Sequence, residues 1–572
     1  MNNNDTGASV TRTLVNWLIS IAQRKEIELI LIFSIAINAL HLVIPIFTLQ
    51  LFDRVLMSES IDTLIWLTCI ALFLLVMQAS LDWIRSQLML RKALAYEAKH
   101  NASAFSNAIN DTISKRKSSA QAINDVSQVR DVLASPSIFG LFDAPFSPLF
   151  LFVLYLLHPM LGLYASISAL LLMALAELTR RKTKQLEQST KPANQTFNNL
   201  TQDWINSADI VQTSGFTSVL ANKWQQERSG IASTTGYFQS RIRSLASLSK
   251  FTRFVLQTGL LVVCIILVLN NQISAGVLIA ASMLMARVLA PIDQAINHWS
   301  HWKQGRQAHQ RVTNRAIQVS ESPLPLPPLS GEIQALDVVL NPTPSMPPLI
   351  NKSSFHIKPG EIVGIIGETG SGKTELAKAL IGLTSISEGE ITLDNACINQ
   401  WANKPLGQQI GYLPQDACLL AGTVTQNICR FDGFDDAKHV VEAAKCADAH
   451  NMILSLPQGY QTVVGDVGHT LSKGQQQKIA LARTLYKAPK LLVLDEPDNG
   501  LDHKGLIKLY QLLERNRVNK TTMIIVSHKG SILSKTDSVL AIQADRSVIK
   551  RSTAQYLNTD RLTKPSVGGS AS

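Results

Sequence analysis

Six long apolar stretches crowd into the first half of the chain, at 28–51, 62–84, 139–158, 160–178, 254–270 and 275–292. Each comes close to the ~20 residues that carry a helix across a bilayer. The segments LIWLTCIALFLLVMQASL and LQTGLLVVCIILVLN are the cleanest. The third opens FDAPFSPLF, with Pro145 and Pro148 near its start, a pattern a membrane helix tolerates when neighbours satisfy the freed backbone groups. The pattern predicts six membrane-spanning helices.

The intervals between them are uneven. The first, third and fifth are short: FDRVLMSESI, the His158–Pro159 corner and NNQIS. The second and fourth are long and basic, carrying Lys115-Arg116-Lys117 and Arg180-Arg181-Lys182. Excess Lys and Arg marks cytoplasmic loops, and an even number of crossings returns the C-terminal half to the same side. Apolar residues recur at helical spacing in SLDWIRSQLMLRKALAYEAKH and NQTFNNLTQDWINSADIVQ, so the helices are expected to continue into the cytoplasm. Residues 10–22 are amphipathic and fit either an interfacial helix or a frayed tail. Arg287, in the last apolar stretch, is expected to snorkel toward the surface from near a helix end.

Composition adds three constraints. With 46% hydrophobic and 17% charged residues over 572 positions, the chain is too apolar to be wholly soluble. Its net charge of +11 is accounted for by the basic intervals; no basic patch with interleaved aromatics stands out, so no nucleic-acid partner is expected. Cys69, Cys264, Cys397, Cys418, Cys429 and Cys446 show no C-x-x-C spacing and are expected to be free thiols in a reducing compartment. The opening MNNNDTGASV lacks a charged segment leading into an apolar core, so no signal peptide is expected.

The second half carries phosphate chemistry. In EIVGIIGETGSGKTELAKALIGL a β-branched strand leads through Gly367-Glu368-Thr369-Gly370-Ser371-Gly372-Lys373-Thr374 into a helix. This is a complete G-x-x-x-x-G-K-T phosphate loop in its required setting. The glycines let backbone N–H groups turn toward phosphate oxygens. Lys373 is expected to reach the β- and γ-phosphates, and the Thr374 hydroxyl to ligate Mg2+. Farther on, KLLVLDEP is a strand ending in two carboxylates. Asp495 is expected to hold Mg2+ and Glu496 to orient or deprotonate the attacking water.

Between these lies Leu471-Ser472-Lys473-Gly474-Gln475-Gln476-Gln477-Lys478, which resembles the signature motif of ABC transporters. In that family the signature docks across a dimer interface onto ATP held by the other subunit. The resemblance implies nucleotide contacts from Ser472, Gly474 and Gln475, and from Glu375 beside the phosphate loop. Gln415 in YLPQD resembles the Q-loop and would join Thr374 and Asp495 at Mg2+; Asp502 in NGLD resembles the D-loop, and His528 in IIVSH the switch histidine.

Longer runs, including FGLFDAPFSPLFLFVLYLLHP and IGYLPQDACLLAGTVTQNICRF, are similar to the permease/ATPase of bacterial type I secretion systems, nearest the branch exporting metalloproteases and repeats-in-toxin proteins. The implied architecture is a six-helix, all-α transmembrane domain of ABC exporter type followed by an α/β phosphate-loop nucleotide-binding domain. The expected boundaries are 1–25 for an N-terminal tail, 26–316 for the membrane domain, 317–332 for a proline-rich linker, 333–555 for the ATPase and 556–572 for a flexible tail. The resemblance implies ATP and Mg2+ as cofactors and a homodimer in the bacterial inner membrane with its ATPase cytoplasmic. It also implies a membrane-fusion adaptor, an outer-membrane channel and a secreted protein as partners. Export of lipids, small molecules or peptides, and a hydrolysis-poor nucleotide sensor, are the alternatives.

Three departures from the family pattern stand out. No aromatic residue occurs in VVLNPTPSMPPLINKSS, where the family stacks adenine. Glu375 replaces a hydroxyl, and its carboxylate would repel phosphate unless turned outward. Lys473 replaces a signature glycine, and Asp498-Asn499-Gly500 replaces small residues before the D-loop.

Overall fold

The computed structural model describes residues 24–113, 121–319, 328–341, 347–401, 409–432, 437–465, 468–499 and 503–556. The amphipathic stretch at 10–22, Lys115-Arg116-Lys117, most of the proline-rich segment, and the tail from 557 lie outside them. The chain divides into a helical unit, 1–109 with 118–318, and an α/β unit, 319–572 with 110–117.

The helical unit is built from α1 (Arg24–Leu40), α2 (Val43–Gln50), α3 (Ile61–Ile113), α4 (Gln121–Ala134), α5 (Ser147–Leu157), α6 (Pro159–Asn206), α7 (Thr217–Leu269) and α8 (Ala275–Val319). By length and apolar composition, six segments can cross a membrane: Glu28–Ser58, Ile61–Asn110, Pro136–Leu157, Pro159–Lys182, Thr217–Leu269 and Ala275–Ala295. Where described, the long polar intervals are mostly helical. Helices α3, α6 and α7 run 53, 48 and 53 residues, because almost nothing in them breaks the i→i−4 ladder. The short corner before α6 is a cap: His158 Nδ1 accepts from the Met160 N–H at 3.2 Å, and Pro159 takes a position where no N–H is needed.

The third span is broken where its prolines fall. A short helix, Phe139–Asp143, gives way to a 3-10 turn, Ala144–Phe146, before α5 begins. Asp143 sits at that break and gathers partners from two other spans. Arg85, only 4% exposed, donates to Asp143 Oδ1 at 2.9 Å, to Ser34 Oγ at 3.1 Å and to Asp82 Oδ1 at 2.7 Å. Its guanidinium lies 4.3 Å from the Phe139 ring centroid. Asn38 Nδ2 donates to the same Asp143 oxygen at 3.0 Å. Charges inside a membrane persist when paired with one another in this way.

Arg287 meets a partner from the first span. Helix α8 continues to Val319, and Arg287 lies within its membrane-crossing part, Ala275–Ala295. It is half-buried, with Nη1 3.4 Å from His41 Nε2, and His41 Nδ1 lies 3.0 Å from Gln78 Nε2.

The α/β unit contains β1 (Ile333–Leu340), β2 (Ile350–Ile357), β3 (Ile362–Ile366), β4 (Glu388–Leu393), β5 (Ala396–Cys397), β6 (Ile410–Leu413), β7 (Gly422–Thr423), β8 (Val463–Val464), β9 (Leu491–Asp495), β10 (Thr522–Val526), β11 (Ser538–Ile542) and β12 (Val548–Ser552). An antiparallel sheet has the order β2-β1-β4-β5, and the main sheet the order β12-β11-β3-β10-β9-β6. Within the main sheet only β12 pairs antiparallel; the rest are parallel. Every residue of β3, β9, β10 and β11 is buried, which is why these strands read as unbroken aliphatic runs. Helices α9 (Lys373–Ala379), α10 (Val424–Ile428), α11 (Ala437–Cys446), α12 (Lys473–Leu485) and α13 (His503–Val518) are among those that pack on the sheets. One core joins α11, α12 and α13 through Val440, Ile479 and Leu512. A second joins α9 to the antiparallel sheet through Leu376, Ile333 and Ile391.

Residues on either side of the proline-rich stretch are ordered by contacts of their own. Helix α8 extends to Val319, and the end of the stretch is hydrogen-bonded to the α/β unit. Leu329 N–H donates to Gln409 Oε1, and the Gly331 and Glu332 N–H groups donate to Asp394 Oδ1 at 3.2 and 2.8 Å.

Removing one member of a buried pair strands the other's charge, whereas removing both does not. Asp143→Leu and Arg85→Met should each cost about 3 kcal/mol of stability. The double variant should cost clearly less than their sum, read by thermal unfolding in lipid nanodiscs. Simple additivity would mean the pair carries no coupling.

Candidate phosphate-binding and hydrolytic site

Four parallel strands end level with one another, and the site lies beyond their C-terminal ends. Val526 of β10 is in register with Ile365 of β3 and with Asp495 of β9, and Leu413 of β6 with Leu494. The phosphate loop therefore follows β3, Asp495 ends β9 with Glu496 just beyond, His528 follows β10, and Gln415 follows β6. Parallel α/β sheets bind ligands at this edge.

The loop's glycines have distinct reasons to be there. Gly370 and Gly372 have φ of 82° and 97°, a region that costs other residues steric strain. A Cβ on Gly372 would also lie 3.1 Å from Leu349 Cβ, and one on Gly367 would lie 2.6 Å from Ser371 Oγ. Glu368, Thr369 and Gly370 form the exposed rim, while Ser371 and Thr374 are half-buried. Lys373 opens α9 at 7% exposure, and its ammonium donates to the Gly367 and Glu368 carbonyls at 3.0 and 2.8 Å. Burial pulls its pKa below the usual lysine range, and the charges of Glu496 and Asp495 pull it back up.

Glu375 is turned into its own partners. Its Oε1 lies 3.2 Å from Lys378 Nζ and its Oε2 accepts from Thr384 Oγ1 at 3.0 Å. The charge is compensated locally, so the expected repulsion of phosphate is largely removed.

Asp495 is the opposite case. Its residue is 0% exposed, yet neither carboxylate oxygen accepts a hydrogen bond of standard geometry. Burial raises its pKa above the ordinary carboxylate value; the nearby Thr374 hydroxyl lowers it, the Glu496 charge raises it, and Lys378 and Lys373 lower it. An orphaned buried carboxylate of this kind costs stability.

Glu496 carries strain of a different sort. Its φ is 49°, a left-handed conformation uncommon for a residue with a side chain. Its N–H donates to the Val526 carbonyl at 2.9 Å and its carbonyl accepts from Asn499 N–H at 3.1 Å. So fixed, its carboxylate meets two other sequence-predicted residues: Gln415 Nε2 donates to Oε2 at 3.0 Å, and His528 Nε2 stands 3.8 Å from Oε1. Asp502 lies outside the described residues.

The signature residues form a separate group. Ser472 caps α12, its Oγ accepting from Gln475 N–H at 3.3 Å while Gln475 Oε1 accepts from Ser472 N–H at 2.9 Å. Lys473 is exposed and Gly474 half-exposed. Among the described residues, no hydrogen bond joins Ser472, Gly474 or Gln475 to the phosphate loop of the same chain.

Two features escaped sequence reading. Tyr412 has a buried hydroxyl without a partner, its pKa raised by burial and by the charges of Asp495 and Glu375; no motif marks it. The other is the set of partners around Asp498, which the sequence presents only as a departure.

Comparison with known proteins places both units in one family. The family model for the ABC transporter transmembrane region matches residues 27–292, and the ABC transporter model matches residues 350–499. The type I secretion system ATP-binding protein PrsD of Rhizobium meliloti (strain 1021) is 35% identical, over 90% of this chain and 89% of its own length. The leukotoxin translocation ATP-binding protein LktB of Mannheimia haemolytica is 26% identical, over 91% of this chain and 75% of its own. The exotoxin translocation ATP-binding protein PaxB of Pasteurella aerogenes is also 26% identical, over 91% and 74%. A solved structure of a bacterial Atm1-family ABC exporter with ATP bound superposes with a TM-score of 0.78, covering 95% of this chain and 99% of that one. At 19% identity, that likeness speaks to the fold alone.

Asp495→Asn should raise the stability of the nucleotide-free protein by about 1 kcal/mol by removing an unpaired buried charge; thermal unfolding without nucleotide reads this, and a fall would contradict it. Glu375→Ser should change ATP affinity by no more than about threefold, because a half-buried ion pair with Lys378 already offsets the carboxylate. A tenfold gain in a fluorescent-nucleotide titration would show that its charge still acts on the phosphates.

Proposed function

The chain belongs to the ABC transporter family, an ATP-hydrolysing, multi-pass membrane protein, and from that membership we propose that it is the permease and ATPase of a type I secretion system. It exports a protein across the bacterial inner membrane, with its ATPase on the cytoplasmic side. Relatives named for type I secretion, leukotoxin translocation and exotoxin translocation align along nearly its whole length and support the cargo class. The basic run Arg180-Arg181-Lys182, in the polar half of α6, supports the orientation. A second copy, a membrane-fusion adaptor and an outer-membrane channel are its proposed partners.

The observation that carries the chemistry is the carboxylate of Glu496, held at 3.0 Å by Gln415 and facing His528 at the edge of the sheet. ATP lies along Gly367–Thr374, its phosphates met by loop N–H groups and by Lys373, whose ammonium exchanges carbonyl partners for phosphate oxygens. Glu368, Thr369, Gly370, Ser371, Gly372 and Glu375 line the same cradle. Thr374 and Asp495 present hard oxygen donors suited to Mg2+, with Gln415 able to turn toward it. The orphaned oxygens of Asp495 fit such an ion. Among the described residues no group of three or more His, Cys, Asp or Glu could enclose a metal, so the shell would be completed by phosphate oxygens and water. When bound, Mg2+ offsets the charge on the transferring phosphates.

Glu496 accepts the proton of the attacking water while Gln415 fixes its second oxygen, and His528 contacts the γ-phosphate. Ser472, Gly474 and Gln475 of a second copy close over the nucleotide, with Asp502 at the same junction. Closure and reopening of two such sandwiches drive rearrangement of the spans.

Glu496→Gln should lower turnover by at least a hundredfold, in the range of losing a general base, and leave ATP-dependent dimerisation intact. Near-normal hydrolysis by that variant would remove Glu496 from the role. Proteoliposomes holding the chain and its adaptor should translocate a protein cargo and not short peptides or lipids; the reverse preference would overturn the cargo assignment.

A further inference from the structure

We propose that Asp498 is a positioning residue that sets the angle of His528 toward Glu496. This rests on the hydrolytic reading of His528 and Glu496 given above, and adds to it a residue that stands where the family usually has a small one.

Asp498 follows Glu496 by two positions on the loop after β9, and its side chain is only 10% exposed. Its two oxygens reach the residues on either side of His528. Ser527 Oγ donates to Oδ1 at 3.3 Å, and Lys529 Nζ pairs with Oδ2 at 3.1 Å. The clamp closes on itself, because Lys529 N–H donates to Ser527 Oγ at 3.1 Å. Ser527 is 1% exposed, so its hydroxyl depends on this partner.

His528 has little else to hold it. Its side chain is 51% exposed, and among the described residues no side chain hydrogen-bonds its ring. The direction of the imidazole is therefore set by the backbone of Ser527 and Lys529. That backbone is fixed at one end by the sheet, through Val526 O and Glu496 N–H at 2.9 Å, and around the ring by Asp498. Because Asp498 and Glu496 share one loop, the clamp ties the histidine to the carboxylate it faces. An alanine at 498 would offer neither an acceptor for Ser527 nor a counter-charge for Lys529. An ion pair with one member mostly buried holds geometry better than two exposed side chains do.

The test is steady-state ATP hydrolysis by the full chain in lipid nanodiscs, with nucleotide affinity and thermal unfolding measured on the same samples. Asp498→Ala and Lys529→Met should each lower kcat about tenfold through a misdirected ring, with KM and ATP affinity within about twofold. Asp498→Asn keeps an acceptor for Ser527 and should lose less. Asp498→Ala combined with His528→Ala should be no slower than His528→Ala alone, since Asp498 acts through the ring. Full kcat in Asp498→Ala or in Lys529→Met, beside an inactive His528→Ala, would overturn the clamp and leave the hydrolytic reading standing. Multiplying losses in the double variant would also overturn it. Near-normal turnover in His528→Ala would instead remove the reading itself, and the clamp with it.

Discussion

The chemistry of this chain depends on one alignment: the parallel strands β3, β10, β9 and β6 stop at the same level. Each then releases a different group at the edge, in turn the phosphate loop, His528, the Asp495–Glu496 pair and Gln415. Because β3, β9 and β10 are buried along their whole length, none can slip without exposing an aliphatic face. That rigidity supports two costly features beside it, an unpaired buried carboxylate at Asp495 and a left-handed backbone at Glu496. Such strain persists where the surrounding structure over-determines it.

The helical unit solves a related problem in a different medium. Hydrocarbon offers no water to a charge, so Arg85 is compensated by Asp143, Asp82 and Ser34 from three spans. The break in the third span is what brings Asp143 there, and Pro145 and Pro148 are tolerated because they fall at turn and helix starts. The cluster links spans that hydropathy alone treats as independent.

Legibility followed the range of the interactions. The spans were readable because hydropathy is a sum over consecutive residues, and the phosphate loop because its strand, glycines and helix lie within one short segment. The helical extensions were readable from period and from the scarcity of breakers. Contacts between distant residues were not. Nothing local told that Arg287 would meet His41, 246 positions away. Asp394 gathering the end of the proline-rich stretch was hidden for the same reason. Glu375 and Asp498 looked like defects in a motif because their partners, Thr384 and the Lys529 loop, lie outside it.

In the proposed cycle each catalytic site is assembled from two copies, the phosphate loop of one and the signature of the other. Turnover in mixed reconstitution tests it most directly. One copy carries Lys373→Ala, the other Ser472→Arg, and each alone is inactive. In a mixed pair, one sandwich would hold both lesions and the other none. The account predicts that mixing restores ATP hydrolysis; a mixture as inactive as either parent would show that loop and signature work within one chain, and would contradict it.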